Sequence, residues 1–225
     1  MSKELADRAA AELEGAEALD VLSWATTTFG RRLAVASSMQ DAVLAHLVSR
    51  VLPDVDVLFL DTGYHFAETL ATREEVDRLL PVTVVDVLPR QSVAEQDAEY
   101  GERLHDRDPD LCCFLRKVDP LATALQPYQA WVSGVRRDES PTRAQTPVVT
   151  WDDAHGLVKV NPLVRWTRAD IDAYESEHDL PVNTLTGNGY PSIGCAPCTR
   201  RVAPGQDPRS GRWAGSDKTE CGIHR

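Results

Sequence analysis

The chain of 225 residues lacks the features that define several protein classes. No apolar run approaches the roughly 20 residues that a bilayer-spanning helix needs. Residues 1–20 alternate Ala, Leu, Glu and Asp, without the basic start and apolar stretch of a signal peptide or the arginine-rich pattern of a transit peptide. A net charge of −11 argues against broad binding of nucleic acid or anionic membrane. We therefore expect a cytoplasmic protein that binds neither nucleic acid nor membrane.

Cysteine is scarce, and its five copies lie in three tight groups: Cys112-Cys113, Cys195-Ala-Pro-Cys198 and Cys221. In a reducing compartment, cysteines bind metal or do redox chemistry more often than they form disulfides. The two pairs suffice for a four-thiolate site, and one thiol remains. This distribution predicts a metal centre beside a redox nucleophile.

The metal type is open between zinc and an iron–sulfur cluster, because four thiolates suit both. Zinc sites usually combine two C-x-x-C knuckles. The directly adjacent Cys112 and Cys113 fit the separate irons of a cluster better than one tetrahedral ion. The pattern favours an iron–sulfur cluster, with zinc as the alternative. Buried thiols without metal are a third reading, which the pairing disfavours.

The remaining thiol, Cys221, lies in a segment with little periodicity. Cationic neighbours, Lys218, His224 and Arg225, would stabilise its thiolate. After residue 187 the chain is rich in Gly, Pro, Arg and Ser. We therefore expect one folded domain at residues 1–204 and a mobile tail at residues 205–225.

Alternating strands and helices predict an α/β fold. Short apolar or β-branched runs predict strands at 33–37, 55–60, 82–87 and 130–134, and helical spacing predicts helices at 3–28 (one or two), 42–52, 66–80, 92–100, 116–125 and 167–178. Right-handed crossovers between such strands give a parallel sheet flanked by helices. Ligands bind beyond the carboxyl ends of such strands.

Two polar segments, Ser37–Asp41 and Asp61–His65, follow the first two predicted strands. Backbone amides and hydroxyls around Ser37 and Ser38 could hold an anion at a helix start, or could simply cap the helix. The first segment contains no glycine, so it is not a Walker loop.

A second candidate anion site is the segment Gly134–Arg143, which contains Arg136, Arg137 and Arg143. Planar guanidinium groups donate two parallel hydrogen bonds to sulfate or phosphate. The alternative is a solvated loop neutralised by its own two carboxylates, and the residues alone do not decide between the two. Lys117, just after the cysteine pair, could offset thiolate charge, reach an anionic ligand or lie on the surface.

Taken together, these motifs resemble those of the sulfonucleotide reductases, in particular the iron–sulfur adenylylsulfate (APS) reductases. The resemblance covers nearly the whole chain and includes Ser37–Asp41, Leu60–His65, Cys112-Cys113, Arg136–Arg143, Cys195-x-x-Cys198 and Glu220–His224. The double cysteine combined with the terminal Glu-Cys-Gly-x-His is the specific part. The serine-rich loop is shared with other adenosine-binding proteins.

The resemblance implies an adenine nucleotide α-hydrolase-like fold and reduction of APS to sulfite and AMP. Cys221 would attack the sulfur and carry an S-sulfocysteine, which thioredoxin or a similar dithiol would then reduce. Cys112, Cys113, Cys195 and Cys198 would hold a [4Fe-4S] cluster. The implied substrate-binding residues are Ser37, Ser38, Asp61, Thr62, Lys117, Arg136, Arg137, Arg143 and His224. A homo-oligomer is left open.

Three other functions remain as alternatives. A reductase of 3′-phosphoadenylylsulfate (PAPS), or one accepting both nucleotides, would look similar but generally without the four cluster cysteines. A tRNA-thiolating ATP pyrophosphatase would want a glycine-containing loop and a basic surface. A zinc-stabilised nucleotide-binding scaffold would be indifferent to loss of Cys221.

Overall fold

The computed structural model describes residues 2–223, which fold around a six-stranded sheet of order β3-β2-β1-β4-β6-β5. The strands are β1 Leu33–Ser37, β2 Val55–Leu60, β3 Val82–Val87, β4 Ala130–Ser133, β5 Val149–Asp152 and β6 Leu157–Val160. All neighbours pair in parallel except β5, which runs antiparallel to β6. The predicted α/β sheet with parallel strands is confirmed, with β5 as an antiparallel edge.

The hairpin of β5 and β6 is the main departure from the sequence pattern, which predicts no strand between residues 135 and 166. The connection is a tight turn in which Gly156 has a φ of +66°. The Asp152 carboxylate accepts hydrogen bonds from the backbone amides of Ala154 and His155. Such a short turn can join only antiparallel strands, since a parallel pair needs a long crossover.

The helices cover both faces of the sheet. They are α1 Lys3–Leu13, α2 Ala18–Phe29, α3 Val43–Ser49, α4 Ala67–Leu79, α5 Val93–Tyr100, α6 Leu104–Arg107, α7 Pro109–Cys113, α8 Asp119–Ala124 and α9 Arg168–Glu177. As predicted, Thr167 caps α9, and its side chain accepts from the amide of Asp170. No helix within residues 2–223 is both long and apolar enough to cross a membrane.

The predicted helix at 116–125 begins earlier than expected. A π-helical turn, Phe114–Val118, joins α7 to α8, so the chain coils without a break from Pro109 to Ala124. Asp108 starts this helix by accepting a hydrogen bond from the amide of Leu111 at 2.9 Å, with proline in the first turn. The earlier start places Cys112 and Cys113 on a helix rather than in a loop.

Successive strand residues point to opposite faces, and each face has its own core. On one face, Val35, Val57 and Val132 pack among residues of α1, α2, α3 and α9. On the other, Leu58 and Trp131 pack with Leu121 and Leu125 around α8. The sheet is therefore the middle of three layers, and its carboxyl edge is left for a ligand.

Candidate active site and thiol pocket

A large pocket opens at the carboxyl ends of β1 and β4, where the strand order reverses. Its lining includes Ser37 and Ser38 after β1 and Gly134 and Arg136 after β4. It encloses about 1240 Å³ of space that is open to solvent. In open parallel sheets, this crevice is where nucleotides bind. The predicted position of the site at this edge therefore agrees with the shape of the molecule.

The Ser37–Asp41 loop turns sharply into α3. Ser37 Oγ accepts from the amide of Met39, whose φ is +55° and whose side chain is fully buried. Asp41 Oδ1 accepts from the amide of Val43. Gln40 ties the loop to the residues before Cys195, since its Oε1 accepts from the amide of Ile193 at 2.8 Å. These bonds fix the course of the loop, and both Ser37 and Ser38 line the pocket.

The three arginines of the Arg136–Arg143 segment have different positions. Arg136 and Arg143 line the pocket and are almost completely buried. Arg137 points elsewhere: its guanidinium forms a 2.7 Å ion pair with Glu14 and donates to the carbonyl oxygen of Thr146. Arg137 is therefore separated from the pocket, because the carboxylate of Glu14, just after α1, already binds its guanidinium group.

The pocket-facing Arg143 binds carboxylates of the protein itself. Its Nε and Nη2 donate to the two oxygens of Glu220 at 2.8 and 2.7 Å, and its Nη1 donates to Glu139. Burial opposes the charged form, but Glu220 and Glu139 together raise the pKa of the Arg143 guanidinium. Arg209 donates to the same Glu220 oxygen at 3.1 Å. Two arginines therefore clamp the residue next to Cys221.

Cys221 lies in the lining of this same pocket, together with Glu220 and Ile223. Residues 205–223 form turns, without a helix or strand. They are packed on the domain, because Trp213 is only 6% exposed and Ile223 packs against the α8-side core. His224 lies outside the described residues. The predicted boundary at residue 204 and the mobility of the tail stay predictions.

Arg209 and Arg212 also line the pocket, although the sequence pattern predicts a mobile tail at their positions. Arg212 donates to Ser192 Oγ and to the carbonyl oxygen of Ile193, and its buried Nε has no hydrogen-bond partner among the described residues. No local pattern in the sequence marks them, but the structure shows close packing at Gly211, where an added Cβ would lie 2.3 Å from the Arg200 carbonyl oxygen. Such close backbone approach indicates folded structure, not a loose tail.

Lys117 lines both the large pocket and a smaller neighbouring one. It sits where the π-helical turn approaches the tail. Burial disfavours the charged amine, but the thiols of Cys195, Cys221 and Cys113 raise the pKa of Lys117. The amine is therefore a fixed positive charge between the paired cysteines and Cys221.

The smaller pocket brings together the four paired cysteines. Cys112 and Cys113 come from α7, Cys195 directly precedes the 3-10 turn Ala196–Cys198, and Cys198 is the last residue of that turn. All four are free thiols and line one space of about 340 Å³. The prediction that the two pairs meet in space therefore agrees with the structure.

The electrostatics of this pocket fit a bound cation or cluster. Burial, followed by Cys113, Cys195 and Cys198, raises the pKa of Cys112 to about 12. Burial also raises the pKa of Cys198 to about 11, with Cys195 adding to it. For Cys195, burial opposes ionisation, but Lys117 and a 3.3 Å hydrogen bond with Thr62 Oγ1 lower its pKa overall. Mutual repulsion of this kind is relieved when metal binds the thiolates.

Within residues 2–223, no three His, Cys, Asp or Glu side chains are grouped closely enough to hold a single metal ion. The four paired thiols line one shared pocket.

Asp61 and Thr62 lie outside the lining of the large pocket, and Thr62 contacts a cysteine. Thr62 is fully buried and contacts Cys195 as described above. Asp61 Oδ1 accepts from the amide of Gly63, which has a φ of +71°. His65 of the same segment does line the large pocket, and burial lowers its pKa. This segment therefore contributes to both pockets.

Two carboxyl groups, Asp41 in the loop and Glu175 on α9, both have raised pKa values. Asp41 lines the pocket, and burial raises its pKa. Burial, with the negative charge of Asp41, raises the pKa of Glu175 on α9 to about 7, against the opposing effect of Arg168. One Glu175 oxygen accepts from Arg168 Nη2 at 3.3 Å, and the other is buried without a hydrogen-bond partner among the described residues.

Comparison with known proteins decides the family. Residues 32–201 match the phosphoadenosine phosphosulfate reductase domain. The chain belongs to this family. The "Adenosine 5'-phosphosulfate reductase" of Streptomyces coelicolor is 60% identical over 222 residues, which are 99% of this chain and 94% of that protein. The resemblance to sulfonucleotide reductases is thereby confirmed.

Solved structures agree with this family at the level of the fold. The phosphoadenylyl-sulfate (PAPS) reductase of Candida auris, solved with phosphate, has a TM-score of 0.75 and 29% identity, covering 90% of this chain and 98% of its own. The FMN adenylyltransferase of Candida glabrata, solved with FAD and pyrophosphate, has a TM-score of 0.56 and 14% identity, covering 79% and 61%. The second likeness concerns the fold alone.

Proposed function

We propose that this chain reduces adenylylsulfate to sulfite and AMP through an S-sulfocysteine on Cys221. The observation that carries the proposal is the position of Cys221 in the same pocket wall as Ser37, Ser38 and Lys117. A thiol beside an anion pocket can attack a bound electrophile that carries negative charge. The name of the Streptomyces relative supports adenylylsulfate as the substrate.

In the first step, the Cys221 thiolate attacks the sulfur of the sulfonucleotide. A bond forms between Sγ and that sulfur, and the sulfur–oxygen bond to the phosphate breaks. The electron pair of the broken bond leaves with AMP. Lys117 and Arg212 are half-buried cations of the pocket that would screen the repulsion between the thiolate and the sulfonate.

In the second step, a dithiol of thioredoxin type reduces the adduct. One donor thiolate attacks Cys221 Sγ, and sulfite leaves with the electron pair of the sulfur–sulfur bond. The second donor thiol then attacks the mixed disulfide and releases the Cys221 thiol. The donor ends as a disulfide, and its two electrons reduce the sulfur from the sulfate to the sulfite level.

The substrate-binding role extends to Ser37, Ser38, Lys117 and Arg136, with Arg209 and Arg212 added. Arg143 acts chiefly on the tail, since its nitrogens already bind Glu220 and Glu139. We further propose that residues 205–225 move, so that Cys221 meets the substrate in the pocket and the donor outside it. Asp61, Thr62 and Arg137 would support the site from outside the pocket.

The four paired cysteines are proposed to hold a [4Fe-4S] cluster. When bound, the cluster would supply a structural link between α7 and the 196–198 turn and a fixed charge beside Lys117. The purified protein should absorb broadly at about 400 nm and contain iron and sulfide. Finding zinc in a colourless, active protein would contradict this part of the proposal.

The substrate is tested by supplying APS or PAPS with reduced thioredoxin and measuring sulfite and the released nucleotide. We expect one sulfite per AMP from APS, and none from the Cys221→Ser variant. A clear preference for PAPS, the substrate named for the Candida auris enzyme, would overturn the choice of nucleotide. Failure of both nucleotides would overturn the reaction itself.

A further inference from the structure

Glu139 places a carboxylate in the wall of the large pocket, beside two arginines. It is the last residue of the 3-10 turn Arg137–Glu139, it lines the pocket together with Arg136 and Arg143, and its side chain is 19% exposed. A negative charge at this position repels an anionic ligand. The contacts of Glu139 with the two arginines supply a role that offsets this repulsion.

One oxygen of Glu139 binds both arginines. Its Oε2 accepts a hydrogen bond from the backbone amide of Arg136 at 3.0 Å and another from Nη1 of Arg143. The second oxygen, Oε1, lies 3.7 Å from Nη1 of Arg136. The same carboxylate therefore contacts an arginine of the proposed substrate site and the arginine that binds Glu220.

The contact with Glu139 sets the orientation of the Arg143 guanidinium group. This planar group has five N–H donors in fixed directions. Its Nε and Nη2 donate to the two oxygens of Glu220 at 2.8 and 2.7 Å, while Nη1 donates to Glu139. Because a bidentate pair requires matching directions, holding Nη1 keeps the opposite edge of the group aimed at Glu220. Glu139 thereby acts on the residue that precedes Cys221.

The two arginines also have local contacts of their own. The amide of Arg143 donates to the carbonyl oxygen of Ser140 at 3.0 Å. On the other side, Nε of Arg136 donates to Oδ1 of Asp138 at 3.0 Å. A substitution at Glu139 should therefore change how these two parts are linked and leave each part folded.

We propose that Glu139 is a positioning residue that links the substrate pocket to the segment around Cys221. Its Oε2 atom orients Arg143 toward Glu220 and fixes the backbone of Arg136 in the pocket wall. The link is geometric, because both hydrogen bonds converge on one oxygen atom. The inference rests on the proposed function for its kinetic consequence only.

The first test needs no substrate and follows the rate at which iodoacetamide alkylates Cys221, read by mass spectrometry of the tail peptide. Glu139→Met removes both acceptor oxygens at similar size. We expect it to raise the alkylation rate roughly three- to tenfold at pH 7, because the segment leaves the pocket more often. Glu74→Met, on the exposed side of α4, is the matched control and should leave the rate unchanged. Equal rates for wild type and a folded Glu139→Met would overturn the proposal.

Two further variants separate geometry from charge. Glu139→Gln loses the charge but can place its carbonyl oxygen at the position of Oε2, so its rate should stay within about twofold of wild type. Glu139→Asp keeps the charge but is one methylene shorter, so its rate should rise roughly threefold. This variant also serves as the test if Glu139→Met does not fold. A fast Glu139→Gln with a slow Glu139→Asp would show a role of charge alone and overturn the proposal.

A double-mutant cycle tests whether Glu139 acts through Arg143. In an Arg143→Met background, adding Glu139→Met should change the alkylation rate less than about 1.5-fold, because the contact between them is already lost. Arg209→Met removes a separate partner of Glu220, and the full effect of Glu139→Met should remain in that background. An undiminished effect in the Arg143→Met background would overturn the route through Arg143.

The kinetic test separates this inference from the proposed function. With APS, Glu139→Met should slow the modification of Cys221 about tenfold. Asp138 still binds Arg136 in this variant, so the affinity for AMP should change less than about threefold. A large loss of AMP affinity with an unchanged rate of modification would overturn the link to the tail. If the wild type forms no adduct, the proposed function fails, and the alkylation rates still decide the role of Glu139.

Discussion

The five cysteines occupy two regions that differ in how the backbone is held. The four paired thiols sit on a capped helix and a 3-10 turn, where they are largely buried around one space. Cys221 lies among turns. Its neighbour Glu220 forms ion pairs with Arg143 and Arg209, and Lys218 forms one with Asp110. The paired cysteines thus lie on regular, buried backbone, whereas the segment around Cys221 is attached by ion pairs between side chains.

The difference teaches how one residue type serves two purposes. Metal ligands must keep their positions, and regular backbone with burial fixes them. In the proposed mechanism, Cys221 leaves its pocket to meet the donor, so the largely buried ion pairs of Glu220 with Arg143 and Arg209 would have to break in that step. Backbone regularity around each thiol therefore predicts which chemistry the thiol performs.

The largest expected effect comes from exchanging serine for cysteine in each region. Cys221→Ser should lower sulfite formation by on the order of 10⁴-fold or more, as expected when a nucleophile is removed. It should keep the visible absorption and the iron content. Cys195→Ser should lose absorption and iron first. Sulfite release by Cys221→Ser, or its loss of colour, would break the comparison between the two regions.

The neighbouring Arg136 and Arg137 allow a test of which arginines belong to the pocket. Arg136→Met should lower kcat/KM by about 10²-fold, because a buried guanidinium is removed from the anion pocket. Arg137→Met should change it less than about twofold, since Arg137 pairs with Glu14 outside the pocket. Steady-state kinetics with APS measure both. Equal losses would show that the segment acts as one unit.

The clamp on the tail should have a smaller effect. Glu220→Gln removes the charge that Arg143 and Arg209 bind, at nearly constant size. We expect kcat to fall by about tenfold, because roughly 1.4 kcal/mol of tail attachment is lost. The cluster absorption should be unchanged. Glu74→Gln on the exposed side of α4 is the matched control, and an equal loss there would refute the clamp.

The smallest expected effect concerns the thermal stability of the folded domain and its dependence on Glu175. Burial holds the pKa of Glu175 at about 7, above its unfolded value near 4.5, so the folded state binds its proton more tightly. Stability is therefore lost as the pH rises between these two values. At pH 8, Glu175→Gln should unfold roughly 2–4 °C higher than wild type, and at pH 4 the gain should vanish.

Thermal unfolding at both pH values, with Glu177→Gln at the exposed end of α9 as control, measures this effect. A gain that is the same at both pH values would mean that Glu175 does not titrate in the folded state.

Local patterns in the sequence predict β1, β2, β3 and the Thr167 cap, because apolar runs and capping residues act over a few positions. The meeting of the cysteine pairs also follows, since two close pairs of thiols favour one shared four-thiolate site. The β5–β6 hairpin does not follow, because its short strands lack a repeating pattern of their own. Arg209, Arg212 and Trp213 are missed because only long-range packing distinguishes them from a loose tail.

The most direct test of the division between the two regions is mass mapping after incubation with APS and no reductant. The account predicts one added SO₃ group per chain, located on the peptide that contains Cys221, with the four paired cysteines unmodified. Absence of an adduct in a protein that releases AMP, or an SO₃ group on one of the paired cysteines, would contradict it.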